Sequence, residues 1–334
     1  MLLTAGAVRS MGYDLWDKQL EMMFVAPIKS IYSDLTFPSH NDGWYGVSLP
    51  TQIRLYEVAY ARYKNPLLLN TLQDCYRLED RLSPEALLTN TTIHPDKELK
   101  ESESYLFGQT GYGVLRSGKK SVVLKYGPSG GGHGHPDKLS ISIHNGEKEI
   151  LPDLGTCAYG IPDYLNWYKR TLSHNTVTVD CKDQRPATGQ MVYFDDHSIE
   201  AFCDKAYPGV EMKRKLLLKG DILCDEFDCI SDTIHQYDYV LLLTEQPQIE
   251  GEFTGAKLDE AVAYKQIRNV KRSVMNHPFT VSTPTGKITF RVDGVPSFEL
   301  FVGEVSGIPP TNPDIVTTTG TERRPVETCY TFMV

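Results

Sequence analysis

The chain has 334 residues, enough for two domains with separate apolar cores. Its content of 40% hydrophobic and 23% charged residues is that of an ordinary globular protein. The formal net charge of −9 argues against a nucleic-acid-binding protein, which would carry a basic surface, and no apolar run is long enough to span a membrane.

Residues 1–95 are predicted to form a helical segment. Leu55, Val58 and Ala59 recur at helical spacing, and a similar set begins at Leu68. The Asn65-Pro66 pair between the two sets predicts a short turn. The segment is therefore expected to contain a helical hairpin.

A polar and aromatic loop at residues 37–45 precedes this hairpin. The simpler interpretation is a connection between helices in which Asn41 or Asp42 caps the next helix, since loops are polar in any case. The other interpretation is a cleft wall that offers His40, Asn41 and Trp44 to a ligand.

A β-rich domain is predicted at residues 104–334, after a polar linker. Leu139, Ile141 and Ile143 alternate with polar residues, and the Asn145-Gly146 pair then predicts a hairpin turn. Similar alternation recurs at residues 176–179 and 288–293 with no helical pattern between them. The predicted fold class is α+β and multidomain, with helices followed by a large antiparallel β-sandwich.

The most informative stretch of the sequence is the glycine-rich run at residues 130–137, GGGHGHPD. On a regular strand, His133 and His135 would face the same way and could bind one ion. Asp153 and His174 follow, and imidazoles combined with a carboxylate suit zinc. The alternative is that these are ordinary histidines hydrogen-bonded around a glycine turn.

His174 immediately precedes the strand predicted around Val177. Val177 and Val179 are expected to face the core, which places His174 on the opposite face with Thr176. A histidine on the non-core face would be available to a cleft.

Between Asp153 and His174 lie three tyrosines and two cations: Tyr159, Tyr164, Tyr168, Lys169 and Arg170. Most tyrosines of a sandwich pack their rings and expose the hydroxyl, but one beside a histidine can donate or accept a proton. The two cations either form a solvated face or clamp an acidic group.

These segments together resemble a known family. The motifs GGGHGHPDK at 130–138, LPDLGTCAYG at 151–160 and WYKRTLSHNTVTVD at 167–180 are similar to those of the heparinase II/III-like polysaccharide lyases. The resemblance is dense between residues 111 and 184 and weaker afterwards. It implies an N-terminal α/α toroid joined to a C-terminal antiparallel β-sandwich, and cleavage of uronic-acid glycans, such as heparan sulfate or alginate, by β-elimination.

The resemblance also assigns roles to residues. It places His133 in the active site and gives His135, Asp153 and His174 a structural zinc ion. A tyrosine of the sandwich is expected to share in proton transfer, with Tyr159 as the first choice and Tyr168 as the second.

Substrate contacts are expected from Arg170, Asn175, Asn41 and Trp44. The expected substrate is an acidic polysaccharide or oligosaccharide, and the resemblance implies a secreted or cell-envelope protein, although no signal peptide is visible.

One departure from the family is plain. The family's carboxylate-binding Asn-His pair and its principal tyrosine come from the toroid, but too few residues precede His133 for a closed ring, and His40 and Asn41 have the wrong order. The last residues, 323–334, resemble a family strand cut short. The chain is therefore expected to be a fragment with an incomplete catalytic set, whose missing toroid helices are absent or come from a second chain.

Two other functions remain open at this stage. One is a non-catalytic glycan-binding or remnant sandwich that keeps zinc for stability alone. The other is a cupin-like metalloenzyme, since two neighbouring histidines, a carboxylate and a later histidine also serve iron or manganese chemistry.

Overall fold

The computed structural model describes residues 9, 11–89, 92–93, 103–308 and 328–334. The chain divides into two compact units. One comprises Met1–Phe37 and Gly46–Glu103, and the other comprises Pro38–Tyr45 and Ser104–Val334. The loop Pro38–Tyr45 therefore belongs to the sandwich unit although its sequence lies among the helices, which the sequence analysis did not foresee.

The helical unit contains four described α-helices, α1 (Lys18–Ser30), α2 (Ile53–Tyr63), α3 (Pro66–Cys75) and α4 (Pro84–Thr89), and a short 3-10 helix, Leu49–Gln52. The predicted break between α2 and α3 is present. The Asn65 side chain accepts a hydrogen bond from the backbone N–H of Leu67, and Pro66 occupies the first turn, where its missing N–H costs nothing. No helix among the described residues is long and apolar enough to cross a membrane.

The helical unit has its own core, formed by apolar side chains of α1, α2 and α3 such as Phe24, Ala59 and Leu72. Glu57 of α2 is buried as well. It accepts hydrogen bonds from the Tyr76 hydroxyl and from the Arg81 guanidinium, so that the charge is paired as burial requires.

The sandwich unit is antiparallel throughout its described strands, which form four sheets with the orders β1-β2-β3-β4-β5, β10-β9-β8-β7, β13-β14-β17-β18-β11-β6 and β12-β15-β16. The strands are β1 (Tyr105–Phe107), β2 (Tyr112–Ser117), β3 (Lys120–Lys125), β4 (Ser140–His144), β5 (Glu149–Leu151), β6 (Val177–Val179), β7 (Gln190–Phe194), β8 (Ser198–Tyr207), β9 (Val210–Lys219), β10 (Ile222–Ser231), β11 (Tyr237–Leu243), β12 (Gln248–Ile249), β13 (Thr254–Gly255), β14 (Arg268–Met275), β15 (Phe279–Thr283), β16 (Gly286–Phe290), β17 (Phe298–Ser306) and β18 (Thr328–Met333).

Side chains from several of these sheets share one apolar core, to which β3, β4, β9 and β11 contribute Leu124, Ile141, Leu216 and Leu241. The side chains of β9 alternate in burial: those at even-numbered positions are buried, and those at odd-numbered positions are partly or fully exposed. The inward face carries Arg214 among apolar residues, so a charged side chain enters the core at that position.

The alternation on which the strand prediction rested does not mark a solvated face everywhere. Both faces of β6 are buried, and β4 is buried at all but one position. Thr178 on the supposed outer face of β6 is enclosed and bonds the Tyr264 hydroxyl. The expectation that His174 lies on an open face is therefore wrong, because another layer covers that face.

Candidate active site

The loop Pro38–Tyr45 is fixed against the segment that follows β5. The backbone N–H of Thr156 donates to the carbonyl of Gly43 at 3.1 Å. Gly155 has a φ of +61°, and a Cβ at that position would lie 2.1 Å from the same carbonyl oxygen, so only glycine permits this approach. The close contact brings Asn41 and Asp42 to the edge of the sandwich.

The two histidines of the glycine-rich run face different ways. His133 ends a short 3-10 turn, Gly131–His133, and its side chain is 77% exposed, whereas the side chain of His135 is fully buried. A Cβ on the intervening Gly134 would collide with the carbonyl of Ser129. The expectation that both imidazoles share one face is wrong, because this turn interrupts the strand geometry that it assumed.

Asp42 is the centre of the site. Its Oδ2 lies 2.8 Å from His133 Nδ1 and accepts a hydrogen bond of 2.8 Å from the Tyr159 hydroxyl. Its Oδ1 accepts one of 2.8 Å from the Tyr164 hydroxyl and lies 3.1 Å from His135 Nε2. One carboxylate thus joins an exposed imidazole, a buried imidazole and two phenols.

The protonation of this cluster follows from its hydrogen bonds. Burial raises the pKa of Asp42, but the four hydrogen bonds outweigh it and lower the pKa to about 2. An ionised carboxylate only accepts, so Nδ1 of His133 and Nε2 of His135 carry the protons. In the neutral imidazoles, Nε2 of His133 and Nδ1 of His135 are then the unprotonated nitrogens.

The two phenols remain protonated at neutral pH. The hydrogen bond to Asp42 raises the pKa of Tyr159, and burial followed by the same carboxylate raises the pKa of Tyr164. Both tyrosines are therefore proton donors in the resting site. Tyr159 is 59% exposed, and its ring packs edge-on against that of Tyr164.

Beneath this outer layer, His135, His174 and Asp153 come together. His135 Nδ1 lies 3.3 Å from His174 Nε2, and His174 Nδ1 lies 3.5 Å from a carboxylate oxygen of Asp153. All three are buried, and His174 Nδ1 makes no hydrogen bond to any residue that the structure describes. Burial lowers the pKa of His135 to about 4, which keeps its imidazole neutral.

This inner cluster fits a zinc ion. Two nitrogens bound tetrahedrally at about 2.0–2.1 Å from zinc lie about 3.3 Å apart, which is the separation of the two imidazole nitrogens here. His135 Nδ1, the ring nitrogen that does not contact Asp42, is the one that lies near His174. Asp153 lies on the Nδ1 side of His174, where it can orient that ring from behind.

Asp137 lies in the same cluster, with a carboxylate oxygen within 4.8 Å of ligand atoms of Asp153 and His174. Its oxygens are already paired with the ammonium groups of Lys125 and Lys138. These cations lower the pKa of Asp137 despite its burial. The residue therefore neutralises two buried lysines instead of offering a free ligand atom.

The sequence of the sandwich unit matches a known family profile. The family described as "Heparinase II/III-like, C-terminal" matches residues 100–297, more than half of the chain. The chain belongs to the heparinase II/III-like family. The resemblance predicted from the three motifs is thereby confirmed.

The relatives of this heparinase II/III-like chain include lyases for different polymers. An exo-oligoalginate lyase of Saccharophagus degradans is 25% identical over 182 residues, which is 46% of this chain and 23% of the relative. A heparin-sulfate lyase of Bacteroides stercoris is 28% identical over 118 residues, which is 32% of this chain and 18% of the relative. The chain spans less than a quarter of either protein.

Solved structures show the same fold. A heparan sulfate lyase from Pedobacter heparinus superposes with a TM-score of 0.60 at 15% identity, covering 93% of this chain and 43% of that one. A heparinase III structure gives 0.59 at 14% identity, covering 94% and 42%. The predicted fold of helices followed by an antiparallel sandwich is confirmed.

Several predicted residues of the heparinase II/III-like site do not reach the Asp42 cluster. Tyr168 is buried and donates its hydroxyl proton to the carbonyl of Gly307 at 2.8 Å, so a role in proton transfer does not fit. Arg170 is held by Asp183 at 2.7 Å and by the carbonyl of Leu165, so its guanidinium is not a free clamp.

Asn175 is also misassigned as a substrate contact. It is fully buried, donates from Nδ2 to the carbonyls of Ile141 and Pro152 at 2.8 and 3.0 Å, and accepts from the N–H of Leu242 at 2.7 Å. The Asn41 oxygen is occupied too, by the Lys125 ammonium and the N–H of His135. Both amides fasten chain segments.

Asp42 and Tyr164 were given no functional role in the sequence analysis, and Lys169 was considered there as part of a clamp but was not chosen as a site residue. The Lys169 ammonium donates to the carbonyl of Gly132 at 2.5 Å and to the Tyr164 hydroxyl at 3.1 Å, which ties the glycine turn to the tyrosine. Trp44 is partly exposed on the loop that carries Asp42.

Replacing Asn175 with alanine is expected to lower the free energy of unfolding by about 3 kcal/mol or more, because three buried backbone groups lose their partners at about 1–3 kcal/mol each. Denaturant titration measures the loss. Asn276→Ala is the control, since that asparagine is exposed and should change stability by no more than about 0.5 kcal/mol. Equal losses in the two variants would contradict the fastening role of Asn175.

Proposed function

We propose that this chain carries the sandwich part of an active site that cleaves uronic-acid glycans by β-elimination. The observation that carries the proposal is the exposed pair His133 and Tyr159, both joined to the ionised Asp42. Relatives named as alginate and heparin-sulfate lyases support the substrate class, an acidic polysaccharide.

In β-elimination a base removes the C5 proton of the uronate, a C4–C5 double bond forms, and the C4–O4 bond breaks with protonation of O4. His133 suits the first task. Asp42 holds the proton on Nδ1, which leaves the exposed Nε2 with a lone pair to accept the C5 proton. The imidazolium that forms then lies beside a carboxylate that stabilises it.

The tyrosines suit the second task. Tyr159 is protonated, exposed and within 2.9 Å of His133 Nδ1, so it can supply a proton to the departing O4. Tyr164 is buried and keeps Asp42 ionised by donating to its other oxygen. It therefore acts on the substrate only through Asp42.

Removal of the C5 proton also requires that charge developing on the uronate carboxylate be stabilised. Lys169 is the cation bonded to the glycine turn and to Tyr164, and its ammonium is not paired with a carboxylate in any described contact. Lys169 replaces Arg170 as the candidate for this role. Trp44 stays a candidate for packing against a sugar ring.

We further propose that His135 and His174 hold zinc and that Asp153 orients the His174 ring. Bound there, zinc would contribute stability by fixing the turn that presents His133. The burial of both imidazoles supports a structural ion over an open iron or manganese centre of the cupin type, which must admit oxygen.

Five leucines are exposed on the surface of the helical unit: Leu55, Leu78, Leu82, Leu87 and Leu88. We propose that further helices, from the same polypeptide or from a second chain, cover this surface, since apolar patches mark protein contacts. Binding of a hydrophobic dye should fall when a polypeptide that supplies such helices is joined or added to this chain. Unchanged dye binding would contradict the proposal.

The lyase proposal is tested by adding heparan sulfate and alginate and following the ultraviolet absorbance of the unsaturated uronate. His133→Ala is expected to lower kcat/KM by about 10²-fold or more, because the proton acceptor is lost. Tyr168→Phe is the control and should keep its activity, since that hydroxyl bonds only a backbone carbonyl in the described structure. No unsaturated product from any uronate polymer, with this chain or an upstream-extended version, would refute the proposal.

Zinc binding is tested by metal analysis and by thermal unfolding with and without a chelator. The wild type should hold one zinc per chain and lose thermal stability on chelation, because the ion binds only the folded site. His174→Ala should hold none. His144→Ala is the matched control: His144 is equally buried on β4, and its loss should leave zinc content unchanged. Zinc-free wild type with no response to chelator would overturn the assignment.

A further inference from the structure

Arg214 is a fully buried arginine that the proposed reaction does not use. It lies on the inward face of β9, where its neighbours in register are apolar. Its Nε and Nη2 donate to the two oxygens of Asp225 on β10 at 2.9 and 2.5 Å, and Nη2 also donates to the Tyr239 hydroxyl at 2.9 Å. Burying a guanidinium is tolerated only with such pairing.

The remaining nitrogen of Arg214 makes the informative contacts. Nη1 donates to the carbonyls of Leu139 and Asn175, each at 2.6 Å. Leu139 follows the segment that carries His133 and His135, and Asn175 directly follows His174. One nitrogen therefore joins the two chain segments that supply the inner pair of imidazoles.

The backbone at Leu139 adds a reason for this link. Leu139 has a φ of +60°, which is unfavourable for a side chain with a Cβ, so an external contact must hold the conformation. Its N–H is bonded to the carbonyl of Lys125, and its carbonyl is bonded by Arg214. Loss of the guanidinium would leave the strained Leu139 with only one of these two backbone hydrogen bonds.

We propose that Arg214 is a positioning residue that sets the separation of the His135 and His174 segments, and thereby presents His133. Asp225 and Tyr239 hold two sides of the planar guanidinium while the third side bridges the carbonyls. Lysine cannot replace it, since a single ammonium lacks the fixed fork needed to contact both groups. The consequence for catalysis rests on the proposed function, whereas the geometric consequence does not.

Amide hydrogen exchange of the folded protein tests the proposal. In Arg214→Met, exchange at the N–H groups of Leu139, Ile141 and Thr176 is expected to rise about tenfold more than at amides of β8, because both segments lose their common donor. Leu216→Ala is the control. Leu216 is equally buried on the same face of β9, so its loss should raise exchange across the sandwich without singling out these amides.

A second readout addresses the inner imidazole pair. Competition with a chromogenic chelator should show zinc bound about tenfold more weakly by Arg214→Met and Arg214→Lys, and unchanged in Leu216→Ala. Where Arg214→Met fails to fold, Asp225→Asn serves instead, since it weakens the anchor and leaves the arginine in place.

Exchange that rises evenly across the sandwich, with zinc affinity unchanged, would show that Arg214 only stabilises the fold and would overturn the proposal. The absence of unsaturated product from both the wild-type chain and its extended version would refute the proposed function alone, because the exchange result still decides the role of Arg214. If the wild type is active, Arg214→Lys is expected to lower kcat by a larger factor than it raises KM, because the substitution displaces His133.

Discussion

The Asp42 carboxylate is the constraint on which the site depends. An ionised carboxylate accepts hydrogen bonds and donates none, so each of its four partners must place a proton toward it. That single condition fixes the tautomers of His133 and His135 and keeps two phenols protonated. The carboxylate is in place because Gly155 lets the loop Pro38–Tyr45 approach the sandwich closely.

The site is arranged by burial. His133 and Tyr159 are exposed and suit contact with a polymer, whereas His135, His174 and Asp153 are enclosed and suit a structural ion. Asp42 contacts both His133 and His135, so a displacement of the buried His135 imidazole would change the position of the exposed His133 imidazole. The network around Asn41 and Lys125 fastens the same loop a second time, through the buried Asp137.

Much of the fold could be predicted because its signals are local. The Asn65-Pro66 break, the alternating strands and the glycine-rich motif each follow from residues within one element, and each is found in the structure. Asp42 could not be chosen in this way, since 91 positions separate it from His133. Tyr168, the second choice of proton donor after Tyr159, bonds a backbone carbonyl, whereas Tyr164 contacts Asp42. The sequence does not reveal the π-helical turn, Tyr164–Tyr168, that separates the two.

The remaining errors share a physical cause. The alternation of apolar and polar residues was interpreted as a strand with one buried face and one solvent-exposed face. A sandwich with several sheets, however, covers both faces of its inner strands. A polar residue there is not offered to solvent or substrate; it must find partners inside, as Thr178 and Asn175 do. Arg214, which the sequence analysis did not consider, follows the same rule on the inward and otherwise apolar face of β9. Buried polar side chains in this fold therefore mark places where hydrogen bonds join segments that are distant in sequence. The hydrogen bonds of Arg214 join the segments that carry the histidines.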